Sequence, residues 1–133
     1  MPSIMHFEIH ADDIERAKTF YMKTFDWMFQ KWEEGPEKTP DYYLVTTKKE
    51  GEPGINGGLM KREGAAPRGD ETIRAFVCTL IVDSIDDYMK KIESNGGKLT
   101  TPKMPVMGVG WLCYAEDTEK NLFGIMQNDE TAK

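Results

Sequence analysis

The sequence predicts an α+β protein of two tandem βαβββ modules, and three observations carry that expectation. The order strand, helix, strand, strand, strand occurs twice. The two helix starts, at Asp12 and Asp83, stand 83 − 12 = 71 residues apart, and a stretch without periodic apolar residues, Arg62 to Thr72, lies between the copies. A chain of 133 residues has the length of one ordinary domain, so the expectation is a single domain over 1–133. Its modules fall at about 1–62 and 72–129, joined by the linker at about 62–72.

Each element has its own signal. Ile4 to His10 alternates, with Met5, Phe7 and Ile9 on one face and His6, Glu8 and His10 on the other, which is the period of a strand. Asp12 or Asp13 then supplies a helix cap, with Glu15 three residues after Asp12 as in a capping box. Ile14, Ala17, Tyr21 and Phe25 follow at helical spacing. Trp27 to Trp32, Tyr42 to Thr47 and Ile55 to Lys61 complete the first set of strands, with a Pro/Gly-bearing loop over Glu33 to Asp41. The second copy opens with the β-rich run Ile73 to Val82. Asp83 or Ser84 caps a helix striped by Ile85, Tyr88, Met89 and Ile92, and Asn95-Gly96-Gly97 ends it. Strands follow near Lys98 to Thr101, Trp111 to Glu116 and Asn121 to Gln127. At a shift of 71 Tyr43 meets Tyr114. Near the module ends the shift is 124 − 58 = 66, where Gly58-Leu59-Met60 meets Gly124-Ile125-Met126.

Charge and cysteine usage narrow the function classes. Seventeen basic against 23 acidic residues give a net charge of −6. That balance disfavours binding to nucleic acid or to an anionic membrane surface and leaves neutral or cationic small partners open. With 39% hydrophobic residues the chain can fold without disulfides or metal, and no stretch reaches the roughly 20 apolar residues that span a bilayer. Cys78 and Cys113 lack CxxC spacing and read as core residues, which makes a reducing cytoplasm the expected location. The sequence offers no phosphate-cradling glycine loop, nucleophile elbow, HExxH or paired CxxC.

Several segments together resemble the glyoxalase/bleomycin-resistance/extradiol-dioxygenase group, the vicinal oxygen chelate superfamily, over nearly the whole chain. They are His6-Phe7-Glu8-Ile9, Ala11-Asp12-Asp13, Glu15-Arg16-Ala17, Phe20-Tyr21 and Phe25-Asp26-Trp27, then Val82 to Asp86 with Gly96-Gly97, and finally Asp117 to Phe123. In the last segment Thr118 and Lys120 depart from the group's Asp-Pro-x-Gly-Asn pattern. The resemblance implies two βαβββ modules whose strands form a half-open, eight-stranded barrel around a cavity. In metal-dependent members it also implies four inward ligands for one divalent cation. His6 fills the first of those positions, Val77 falls at the second, and glycines 58 and 124 lie where carboxylates are expected. Valine and glycine side chains offer no donor, so no cofactor is expected and a divalent metal is disfavoured. An off-pattern site of His6, Glu8 and His10 is the alternative, opposed by a spacing of roughly 6 to 7 Å between same-face side chains along a strand.

The expected ligand-contacting set is His6, Glu8, His10, Tyr43, Gly58, Met60, Val77, Trp111, Gly124 and Met126, with His6 and Glu8 the candidates for acid–base work. The plainer readings stand beside these: a polar network at a sheet edge for the first three, tight strand packing for the glycines, and a core stripe for the methionines and aromatics. The apolar stretch Lys103 to Gly110 reads as a lid or interface loop, and a homodimer is expected. The function these features imply is binding of a small organic molecule in the manner of bleomycin-resistance proteins. The alternatives are a metal-dependent glyoxalase-type lyase, isomerase or dioxygenase around His6 and Glu8, or a protein-interaction module.

Overall fold

The computed structural model describes all residues except 2, 3, 5, 34–40 and 69–75. The chain divides into two compact units, Met1–Ala66 and Pro67–Lys133. In the first, β1 (Phe7–Ala11) leads into α1 (Ile14–Phe25), followed by β2 (Met28–Lys31), β3 (Tyr42–Thr46) and β4 (Gly57–Lys61). The sheet order is β1-β4-β3-β2, with β1 and β4 parallel and the other pairs antiparallel. In the second unit β5 (Thr79–Ile81) and α2 (Ile85–Ser94) precede β6 (Lys98–Leu99), β7 (Met104–Val106), β8 (Gly110–Glu116) and β9 (Leu122–Asn128). Here the order is β5-β9-β8-β6, β7 also pairs with β8, and β5 lies parallel to β9. Two βαβββ units of an α+β protein are therefore present, the second enlarged by one short strand.

The helix starts keep the 71-residue spacing one position later than Asp12 and Asp83. Asp13 Oδ1 accepts the amide of Arg16 at 3.0 Å, and Ser84 Oγ accepts that of Asp87 at 3.3 Å. Asp12 is not the cap, so the capping box with Glu15 does not form. Asp12 instead pairs with Arg62 at 3.2 Å, and Glu15 with Lys18 at 3.2 Å. The loop expected over Lys103 to Gly110 folds back as β7 against β8. Of the two cysteines Cys113 is buried as expected, whereas Cys78 is exposed. Ile73 to Ala75 of the expected fifth strand, and most of the Glu33 to Asp41 loop, lie outside the described residues.

Each sheet buries one face beneath its own helix. In the first unit Ala11, Val45 and Leu59 meet Ala17 of α1, with Phe7, Ile9, Trp27, Phe29 and Tyr43 packed around them. Trp27 stacks on Tyr21 of the helix with centroids 5.0 Å apart. In the second unit Ile85 and Ile92 of α2, Cys113, Ala115 and Ile125 are fully buried. Gln127 Oε1 accepts the first helical amide, Ile85 N, at 2.9 Å, so β9 caps the helix that covers it. Among the described residues no helix is long and apolar enough to cross a membrane.

The turn from β8 to β9 contains one local strain. Asp117 Oδ1 accepts the amides of Glu119 and Asn121 at 2.8 and 2.9 Å, closing the turn, and this places Lys120 at φ 66. A left-handed conformation costs a side-chain-bearing residue about 1–2 kcal/mol, part of which glycine returns through its freer unfolded chain. Lys120→Gly is expected to stabilise the protein by about 0.5–1 kcal/mol, seen as a higher midpoint in urea unfolding.

Candidate functional site

The face of the first sheet turned away from α1 carries the polar residues. Strand alternation and register set its membership: Glu8 opposes Gly58, His10 opposes Met60, Tyr42 opposes Met60 from the other side, and Leu44 opposes Gly58. Gln30 and Met28 continue the face on β2. His6, one residue before β1, joins it through its ring. His6 Nε2 lies 2.8 Å from Tyr42 Oη, Tyr42 Oη donates to Glu8 Oε2 at 3.1 Å, and His10 Nε2 lies 2.7 Å from Glu8 Oε1.

Hydrogen counting gives these contacts a direction. The ionised carboxylate of Glu8 only accepts, so His10 Nε2 donates to it. The single phenolic proton of Tyr42 also goes to Glu8, which leaves Tyr42 Oη to accept from His6 Nε2. The result is a chain running from His6 through Tyr42 to Glu8, which His10 meets from the opposite side. The His10 hydrogen bond holds the Glu8 carboxyl below its usual range, assisted by Tyr42 and opposed by partial burial. Tyr42 is pushed up to about 12, first by burial and then by its bond to the Glu8 carboxylate.

The signs of the two pH dependences are opposite. Glu8 has a lowered folded value, so its contribution to stability is present above the ordinary carboxylate range and is lost as pH falls through that value. Tyr42 has a raised one, so its contribution is complete below about 10 and is lost as pH rises through about 12. An alkaline titration followed by ultraviolet difference absorbance is expected to show a late phenolate step that disappears in Tyr42→Phe. A titration with no late step would show that the phenol is not held by Glu8.

Gly58 makes this geometry available. A Cβ placed there would sit 1.8 Å from Tyr42 Oη and 2.2 Å from Cζ, so the phenol crosses β4 through the space that a side chain would fill. Tyr42 was not among the expected contacts. Its neighbour Tyr43 was, but Tyr43 faces α1, where Lys18 Nζ lies 4.5 Å from its ring centroid. The same one-residue displacement affects the expected pairing of Tyr43 with Tyr114. Tyr114 opposes Gly124 as Leu44 opposes Gly58, so the true counterpart of Tyr114 is Leu44. Strand alternation identifies Tyr42 once the register with Gly58 is known.

In the second unit Thr79 opposes Gly124 as Glu8 opposes Gly58, which reproduces the 71-residue shift and makes Val77 the counterpart of His6. Gly124 and Met126 share one face of β9, and a Cβ at Gly124 would meet Thr79 Oγ1 at 2.8 Å. Trp111 is on the other face, its Nε1 donating to Asp129 Oδ2 at 3.1 Å and its ring lying 5.0 Å from Lys103 Nζ. The structure thus groups His6, Glu8, His10, Gly58 and Met60 on one face with Tyr42, and places Tyr43 and Trp111 on the helix-facing sides of their sheets.

The donor set does not fit a divalent cation held in the pattern that the fold suggests. His6 Nε2 is committed to Tyr42, the Tyr42 phenol takes the space next to Gly58, and Val77 and Gly124 carry no donor atom. Among the described residues no group of three or more His, Cys, Asp or Glu is placed to hold a metal ion.

Residues 3–36 match the family model described as bleomycin resistance protein-like N-terminal. The fosfomycin resistance protein FosX from Listeria monocytogenes, solved with Mn(II) and sulfate, aligns at a TM-score of 0.71 and 16% identity over 97% of this chain and 92% of its own. A glyoxylase/bleomycin resistance protein/dioxygenase domain from Frankia sp. EAN1pec gives 0.69 at 15% identity, covering 97% and 99%. TnmS3, an antibiotic binding protein from Streptomyces sp. CB03234, gives 0.62 at 20% identity, covering 97% and 98%. No curated protein sequence matches the chain. The chain carries the fold of these solved structures, and its residues 3–36 are similar to the N-terminal part of bleomycin resistance-like proteins.

Proposed function

We propose that the protein binds a small organic molecule without a resident divalent metal, using the open face of β1, β4 and β3 in the first module. The observation that carries this reading is the position of Tyr42. Its hydroxyl takes the place of a side chain at Gly58 and engages His6, so that two of the positions from which metal-dependent members of the group draw ligands are joined in a hydrogen-bonded chain. The antibiotic-binding description of TnmS3, a protein of the same fold, agrees with a binding role. The exposed apolar residues Met28 and Leu44 on this face give an organic ligand surface to cover.

Thermal unfolding tests the reading, because a ligand that binds the native state alone raises the midpoint by mass action. Zinc, nickel and manganese are expected to leave the midpoint in place. At least one member of a panel of cationic, anionic and neutral aromatic compounds is expected to raise it, and Tyr42→Phe to reduce that rise. Near-stoichiometric metal in the purified protein, lost in His6→Ala, would overturn the metal-free reading and favour a metal-dependent lyase, isomerase or dioxygenase centred on His6 and Glu8.

A further inference from the structure

The protons of the His6, Tyr42, Glu8 chain are all committed, and this fixes what the face can still offer a ligand. Tyr42 donates its only hydrogen to Glu8. His6 directs its Nε2 hydrogen to Tyr42, so that donor is spent within the chain. Each Glu8 oxygen accepts one bond and retains capacity for more, and the Glu8 side chain is 39% exposed. The residues paired across the face, from His10 and Met60 to Leu44 and Gln30, include no lysine or arginine. The guanidinium of Arg62 is turned to Asp12 Oδ1 and the His10 carbonyl. Beside the chain the ring of Trp32, 40% exposed, meets Tyr42 edge to face with centroids 5.8 Å apart.

We propose that this face selects a cationic hydrogen-bond donor on an aromatic or apolar body, an amidinium, guanidinium or primary ammonium, which donates to Glu8 and packs against Trp32 and Tyr42. The proposal rests on the binding reading above and adds the class of ligand. A planar cation can donate two hydrogen bonds to a carboxylate, and charge-assisted bonds of this kind are the stronger ones. A cation over an indole or phenol ring gains a further attraction. An anion meets the opposite conditions, a carboxylate whose neighbouring donors, His10 Nε2 and the Tyr42 hydroxyl, are already turned to it, on a chain whose net charge is −6. The carboxyl of Glu8, held low by His10, remains ionised at neutral pH.

Benzamidine and benzoate share a ring and differ in charge, so they separate the alternatives in backbone-amide NMR titrations of the full chain. Benzamidine is expected to shift the amides of Glu8 and Tyr42 and the indole of Trp32, and to bind at least about tenfold tighter than benzoate. Glu8→Gln, which keeps the shape and removes the charge, is expected to weaken benzamidine by about tenfold while the spectrum remains that of the folded chain. If that variant fails to fold, the mapping on the unaltered protein decides. Benzoate binding as tightly as benzamidine, or benzamidine shifts confined to other surfaces, would overturn the assignment and leave the binding reading standing. If no compound of the panel moves this face, both fail.

Discussion

Gly57→Ala is expected to destabilise the first module by about 3 kcal/mol, measured as a lower urea midpoint at unchanged slope. A Cβ at this position would lie 2.5 Å from the Phe7 carbonyl oxygen and 2.7 Å from the Phe7 ring. Phe7 is the β1 residue directly opposite Gly57 in the parallel pair, so the obstruction is backbone and cannot be relieved by a rotamer change. Relief requires β1 to move away from β4, and that movement also disturbs Ala11 and Leu59, both fully buried in the same core. A loss below about 1 kcal/mol would show that the two strands slide apart without damage.

One residue later the expected outcome is different in kind. Gly58→Ala drives its methyl group into the Tyr42 hydroxyl, the end of a side chain that can swing aside, so the fold survives. What is lost is the pair of hydrogen bonds to His6 and Glu8, about 2 kcal/mol at roughly 1 kcal/mol each. Binding by this face is expected to go with them. The check is a double-mutant cycle: in a Tyr42→Ala background the same Gly58→Ala change is expected to cost almost nothing, giving a coupling of about 1–2 kcal/mol. Additive losses would mean that the phenol does not occupy the space beside Gly58.

These two glycines also mark the limit of what could be read from the sequence. Local signals gave the repeated element order, both helices and the 71-residue shift, because capping chemistry and apolar period act over a few residues. Asp12 and Asp13 are chemically equal candidates for one cap, and only the amide of Arg16 decides between them. Strand β7 was concealed by Pro105 and the glycines after it, which signal a loop. The proline is tolerated because β7 pairs on one side only, with β8, so its missing amide leaves no partner unsatisfied. Tyr42 and Tyr43 present the harder case, since adjacent strand residues point to opposite faces and nothing local says which faces α1. Pairing with β4, fourteen or more residues away, makes that choice. Three members of the polar row, His6, Glu8 and His10, were legible because their alternation is internal to one strand, whereas the tyrosine that links two of them depends on contacts from distant sequence.

The parallel pairing of first and last strands within each unit bears on how the chain folds. Phe7 must find Gly57, and Thr79 must find Gly124, so neither sheet can be completed by hairpins alone. Each closure spans 50 and 45 residues respectively (57 − 7 and 124 − 79), and its entropic cost falls due before the contacts that reward it exist. High contact order of this kind places folding in the slower range of small domains, roughly milliseconds to seconds. During that interval β4 and β9 carry unpaired edges rich in glycine and apolar side chains, and two units with matching topology offer each other the wrong partner. Misregistered pairing between the repeats is therefore the characteristic error this architecture invites.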